Sequence, residues 1–155
     1  MTTLKKTFWD RIEDVQAGML KAEGARPVPM SPMVDDDAGA IWFITAAGTE
    51  VGRAAAQGTP AQFMAACGKA RLYAVIDGSL SVCDDADVLD DLWNPVVDAW
   101  FDGGKDDPDA RLIRFVPARA EVWATDGALA FAWEIAKANV TDEKPDMGEH
   151  GTIIF

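Results

Sequence analysis

Short β-type runs follow one another along this chain without alternating regularly with helical patterns, and that order constrains the fold most. Ala40–Ala46 (AIWFITA) is a β-branched and aromatic run of strand length. Ala61–Cys67 and Arg71–Asp77 read as a hairpin across Gly68-Lys69. Asp77-Gly78 reads as a second turn, followed by a strand Ser79–Cys83. Arg111–Pro117 and Ala120–Thr125 are further strands, and Ala128–Trp133 continues as a strand beyond a turn at Asp126-Gly127. Six or seven short strands in this order weigh against a doubly wound parallel sheet. They predict a mainly β fold: an antiparallel β-barrel with peripheral helices.

The helices are expected at three places. Phe8, Ile12, Val15, Met19 and Leu20 recur at helical spacing, which predicts an N-terminal helix over 7–23, with Thr7 and Asp10 as a capping box and Gly24 as its stop. Pro27, Pro29 and Pro32 exclude a helix from Ala25–Val34, which reads as an irregular strand at a sheet edge, closed by the turn Asp35–Gly39. Glu50–Gln57 is a short helix closed by Gly58 and Pro60. The run from Val88 to Phe101 places apolar residues in pairs four apart, opposite an acidic face. Asp84 or Asp85 caps its start. Asn94-Pro95 interrupts it as a new N-cap and first helical residue, so two consecutive short helices or one kinked helix are expected over 86–101. From about residue 138 the tail is polar. It ends in Gly151-Thr152-Ile153-Ile154-Phe155, either a docking segment or a loose end, with His150 an exposed tail residue. At 155 residues and 49% hydrophobic, the whole chain, 1–155, is expected to be one domain, its barrel strands running from about 25 to 133.

Charge and motif exclusions narrow the function. A net charge of −12 argues against a nucleic-acid partner, since phosphate binding needs a basic face. No apolar run reaches the roughly 20 residues of a membrane helix, and no apolar leader follows the N-terminal lysines. Cys67 and Cys83 fit no metal spacing and read as free thiols of a cytoplasmic protein. Between Asp77 and Asp109, Lys105 is the only basic residue. The calcium-loop pattern is absent, so this segment reads as a solvated acidic surface and no metal site is expected. A single histidine, His150, rules out two-histidine metal motifs within one chain. Gly103-Gly104-Lys105 lacks the earlier Gly and the following Ser or Thr of a phosphate loop, and no dinucleotide fingerprint occurs. No catalytic residue is assigned. Either the chain binds without turnover, or a cofactor carries the chemistry.

Five segments, in order, resemble the general stress protein branch of the pyridoxamine 5'-phosphate oxidase-like split barrels. They are Gly24–Met30 (GARPVPM), Ile41–Thr45 (IWFIT), Tyr73–Leu80 (YAVIDGSL), Leu92–Pro95 with Trp100–Pro108 (LWNP, WFDGGKDDP), and Ala120–Trp123 (AEVW). Together they span roughly residues 8–125. The resemblance implies a split β-barrel of the FMN-binding type, a homodimer, and FMN held at the subunit interface. It implies that Arg26, Pro27 and Met30 run along the flavin. Trp42, Phe43, Ile44 and Thr45 line its ribityl and phosphate end, and Trp93 and Trp100 approach the ring from the other subunit. The family's phosphate-holding Ser or Thr and Lys are replaced here, where the position reads Val51. Arg53 and Thr49 stand nearby as substitutes. Flavin redox chemistry follows, with NAD(P)H one candidate donor; the alternative is a flavin-storing or flavin-sensing barrel, or one that has lost the cofactor. A third reading is a purely structural acidic monomer. Beside these stand plainer roles. Trp42 and Phe43 are adjacent, so they face opposite ways and at least one belongs to the core. Trp93 and Trp100 suit helix packing, Arg26 and Arg53 surface ion pairs, and Thr45 an ordinary strand.

Overall fold

Only Ser31 and Pro32 separate β2 (Val28–Met30) from β3 (Met33–Asp35), yet these strands are the two opposite edges of one antiparallel sheet. In the computed structural model, which describes residues 2–146 and 148–155, the strand order is β2-β1-β5-β6-β7-β4-β3. Three Cα steps reach at most about 11 Å, so the sheet has to curl until its edges are neighbours. The edges do not join, because Pro32 lacks a donor and the turn there directs the two strands into separate pairings, β2 with β1 and β3 with β4. The result is a split barrel whose seam lies at Ser31-Pro32. β1 is Gly18–Ala22, β4 Ala40–Ala46, β5 Pro60–Cys67, β6 Leu72–Cys83, β7 Ala110–Thr125 and β8 Gly148–Ile154. β4 pairs with the first part of one edge of β7 and β8 with the last part of it.

Inside the curl, Phe43, Phe63 and Phe115 are fully buried with Leu20, Ile76 and Leu80. Helix α1 (Thr3–Ile12) closes one end with Phe8, Trp9 and Ile12. Helix α2 (Glu50–Ala56) buries Val51, Ala54 and Ala55. The helices α3 (Ala86–Leu92) and α4 (Pro95–Asp98) are the two expected short ones. Asp85 and Asn94 cap them through side-chain oxygens, with Pro95 at the first helical position. α3 covers the outer side of β4, where Val88, Leu89 and Leu92 pack on Trp42 and Ala40. No helix is long and apolar enough to cross a membrane among the described residues.

Three expectations are corrected. The N-terminal helix is capped by Thr2, whose hydroxyl accepts from the Lys5 amide at 3.2 Å, and runs from Thr3 to Ile12. Met19 and Leu20 belong to β1, where Leu20 and Ala22 point inward by strand alternation. Gly18 explains the change. A Cβ there would stand 2.5 Å from the Met64 carbonyl, so this stretch lies flush against β5, where no helix fits. Asp77-Gly78 is no turn either. β6 runs straight through it with a bulge, and a Cβ on Gly78 would stand 2.3 Å from the Val116 carbonyl. The two strands expected at 111–125 are likewise one continuous β7. The third correction is α5 (Ala128–Val140), expected as a strand. Leu129, Phe131, Trp133 and Ile135 alternate like a strand, but the alanines between them are strong helix formers and β8 occupies the edge of β7.

The tail docks. Phe155 packs edge-on against Phe8 at 5.3 Å, and His150 lies on β8, stacked 4.7 Å from Trp123. Met147, which precedes β8, lies outside the described residues. Glu121 of β7 accepts from the Thr152 hydroxyl at 2.9 Å and lies 2.6 Å from His150 Nε2. These two bonds, Thr152 first, hold its carboxyl below the ordinary glutamate range. A lowered folded value means the contribution is complete above the ordinary range and is lost as pH falls through the lowered one. Amide exchange in β8, measured relative to β5, is therefore expected to accelerate below about pH 4. An unchanged ratio would mean that the cluster does not hold the tail.

Candidate functional site

At the seam, the residues between and beside the two sheet edges enclose a cleft of about 420 Å³. Pro29, Met30, Ser31 and Met33 come from the edges, Ile44 to Ala46 from the end of β4, and Thr49 from the turn into α2. Val96, Val97, Trp100 and Phe101 form the outer lip. The cleft lies where the split leaves the end of β4 uncovered: Ile44 and Met33 share the outer apolar face of Trp42, and the α4 segment roofs it. Its lining is mainly apolar, and none of its side chains titrates.

One end is polar. The Thr45 and Thr49 hydroxyls are 3.1 Å apart. Thr49 is the N-cap of α2: its Oγ1 accepts from the Gly52 amide at 3.0 Å and donates to the Ala46 carbonyl at 2.9 Å. Its proton is thus committed, so Thr45 is the donor in the 3.1 Å pair; the Thr45 hydroxyl makes no other bond and reaches a ligand by turning its proton away from Thr49. Glu50 accepts from Arg26 Nε at 3.1 Å. The side-chain bond from Arg26 is the main cause that keeps its carboxyl below the ordinary range, and the Arg53 charge adds to it. Arg53 folds back so that its guanidinium donates to the Gly48 carbonyl. Both cations near this turn are thus engaged, Arg26 with Glu50 and Arg53 with the Gly48 carbonyl.

The cleft brings together Met30, Ile44, Thr45, Thr49 and Trp100 of the residues singled out in the sequence, with Trp100 on the lip of its own chain's cleft where the resemblance implied an approach from the other subunit. Arg26 and Arg53 stand on either side of Glu50, outside the lining. Pro27 is exposed and also outside it. Phe43 is fully buried in the barrel, and Trp42 lies under α3 with the Arg114 guanidinium 5.8 Å from its ring centre. Trp93 donates to Asp98 at 2.9 Å and packs on Phe101. Val51, where the resemblance implies a phosphate ligand, is 2% exposed and packs in the core. Met33, Val96, Val97 and Phe101 were not singled out. The last three share an i, i+4 stripe with Trp100, a pattern that ordinarily marks a core face. Asp35, Asp36 and Asp37 bring carboxylates within 4.8 Å of one another, but all are exposed and Asp35 accepts from the Ala38 amide as a turn residue.

An antiparallel barrel split along one seam, with an apolar cleft at the split, is the architecture of the split-barrel flavoprotein class. The sequence matches the pyridoxamine 5'-phosphate oxidase-like family over residues 4–146, and the chain belongs to that family, in its general stress protein branch. A candidate general stress protein 26 from Jannaschia sp. is 50% identical, with 100% of each chain covered and a TM-score of 0.93. The general stress FMN/FAD binding protein of the phytopathogen Xanthomonas citri is 31% identical over 81% of this chain and 91% of its own, with a TM-score of 0.72. A general stress family protein of Xanthomonas campestris is 32% identical over 83% and 93%, with a TM-score of 0.70. No protein of curated function matches the sequence.

Proposed function

We propose that the seam cleft binds FMN in a homodimer and that the chain acts as an FMN-dependent oxidoreductase. The observation that carries this reading is the cleft itself: an apolar slot of ligand size with two threonine hydroxyls at one end and Arg53 close by in sequence on α2. An isoalloxazine ring suits the apolar part. The Thr45 hydroxyl, with Arg53 swung from Gly48, suits a phosphate. The relative from Xanthomonas citri, an FMN/FAD binding protein, supports the ligand class. Bound FMN supplies reversible hydride and electron transfer. The chain's own residues do the rest: Met30, Ile44 and Trp100 exclude water from the ring, and Thr45 and Arg53 fix its tail. The outer sheet face, where Met19, Tyr73, Val116 and Trp123 are each 39% exposed, supports a dimer. The unpaired Cys67 and Cys83 support a reducing, cytoplasmic location.

Absorbance of the purified chain, before and after FMN addition and desalting, tests the reading. A retained two-banded flavin spectrum supports it, and no retained flavin refutes it. Arg53→Ala is expected to weaken FMN at least roughly tenfold, the loss of one charge-assisted contact, and to leave riboflavin unchanged. Equal FMN affinity in the variant would remove Arg53 from the site.

A second reading has its own observation. Among the described residues no titratable side chain lines the cleft, so these residues offer no acid or base to a substrate there. That favours a flavin carrier or sensor. Flavin-dependent oxidation of NAD(P)H by the loaded protein would decide for the enzyme; binding without turnover of that donor favours the carrier.

A further inference from the structure

Helix α5 is inside out. Leu129, Phe131, Trp133 and Val140 are 88%, 53%, 67% and 82% exposed, and no residue of the helix is buried. The covered groups are instead the charged ones, which turn to the segment that follows the helix. Glu134, only 14% exposed at its side chain, bonds Lys137 at 3.3 Å and accepts from the Asp146 amide at 2.8 Å. A helix whose ion pair is covered and whose large apolar residues face outward is arranged for contact with another molecule.

The cleft lip has the same defect. Val96 and Trp100 are 71% and 79% exposed. α5 does not reach its own lip. The cleft adjoins the start of β7, where Ala110 pairs with Ala46, whereas α5 follows the other end of that strand at Thr125. Sixteen extended residues span about 50 Å, and the start of α5 lies instead beside Gly68 and Tyr73 at the β5–β6 turn.

We infer that α5 is an exchanged arm that packs on the cleft lip of a second copy of this chain. The inference rests on the homodimer reading above and adds which surfaces meet. Two-fold symmetry lets each copy give one arm and receive one, so a single arrangement covers both exposed surfaces twice. Packing α5 against its own counterpart would leave both lips open. Charge selects these surfaces. The chain carries −12, so two copies repel over most of their area. The only charged residues within α5 are Glu134 and Lys137, which neutralise each other, and the cleft lining carries no ionisable group. Area agrees as well. Leu129, Trp133 and Val140 share one face of α5, and each copy also gives the lip residues Val96 and Trp100; at about 150–250 Å² per aromatic side chain, arm and lip together offer each partner on the order of 700 Å², near the roughly 800 Å² of a standard interface.

The test uses the full chain. Light scattering after size exclusion should show a dimer for the natural sequence. Leu129→Glu with Trp133→Glu should raise its dissociation constant at least roughly 30-fold, the effect of losing one interface hot spot. Both residues are exposed, so each copy keeps its fold, which far-ultraviolet circular dichroism checks. Lysine cross-linking of mixed light-isotope and heavy-isotope chains should join Lys137 of one chain to Lys105 of the other. A natural chain that is monomeric overturns this inference and the homodimer reading together. A dimer untouched by the double substitution, or Lys137 links confined within one chain, overturns the arm alone. Flavin absorbance, recorded separately, reports on the cofactor reading whichever result appears.

Discussion

Phe43→Ala is expected to cost about 3–5 kcal/mol of folding stability, the range for removing a fully buried phenylalanine. The Phe43 ring has no exposed surface and sits 5.1 Å from Phe63 and 6.4 Å from Phe115, centroid to centroid. Those three rings come from β4, β5 and β7. The cavity left behind would lie where those strands face one another across the curl, and backbone already paired to β3 and β7 restrains β4 from collapsing into it. Ile44 and Thr45 follow Phe43 directly on the same strand, so slack in β4 also reaches the cleft. Urea unfolding should show a lower midpoint with an unchanged slope. A cost below about 1 kcal/mol, the size of a surface change, would mean that this ring does not fill the core.

Phe43 also shows what the sequence can and cannot disclose. Ala40–Ala46 was legible to the residue because its β-branched and aromatic run is bounded by Gly39 and Gly48. Alternation within it also required Trp42 and Phe43 to face apart, but not that both sides would be covered. Covering Trp42 takes α3, a helix nearly fifty residues later. The break at Asn94-Pro95 was legible for a local reason: its cap chemistry acts within three residues. α5 and β8 were not. Their states depend on which of them pairs with β7, and that choice is made across about thirty residues. The cleft was legible only in part. Thr45, Thr49 and Met30 lie in segments with a family likeness, whereas Met33 reaches the site only because the sheet curls until its edges meet at Ser31-Pro32. Val51 stood out as a missing phosphate ligand. In the fold it is the residue that seats α2 in the core, so the position serves packing here.

Gly52→Ala is expected to damage stability and cofactor binding together, because one methyl group would wedge apart the polar end of the cleft. A Cβ at Gly52 would stand 2.4 Å from the Ala46 carbonyl and 3.1 Å from that of Ala47. Both are backbone atoms of the turn joining β4 to α2, so neither rotates away. α2 would have to lift, yet Val51, Ala54 and Ala55 are buried on the other side and resist the movement. Overpacking of this kind costs about 1–3 kcal/mol. Lifting α2 also lengthens the bond from the Gly52 amide to Thr49 Oγ1, which removes the cap and releases the Thr49 hydroxyl from Thr45. The Thr45 donor and the Arg53 guanidinium would then lose their common geometry, and FMN affinity should fall at least roughly tenfold, as for one misplaced charge-assisted contact. Gly48→Ala is the internal comparison, since a Cβ there meets nothing within 4 Å; its stability and affinity should stay near those of the natural chain. Thermal melts and FMN titrations of the two variants separate the claims. Lost stability with intact FMN affinity would detach the β4–α2 turn from the phosphate end of the site. Loss of both in Gly52→Ala alone would tie the cofactor to the Thr45–Thr49 pair, and hence to the residue that caps α2.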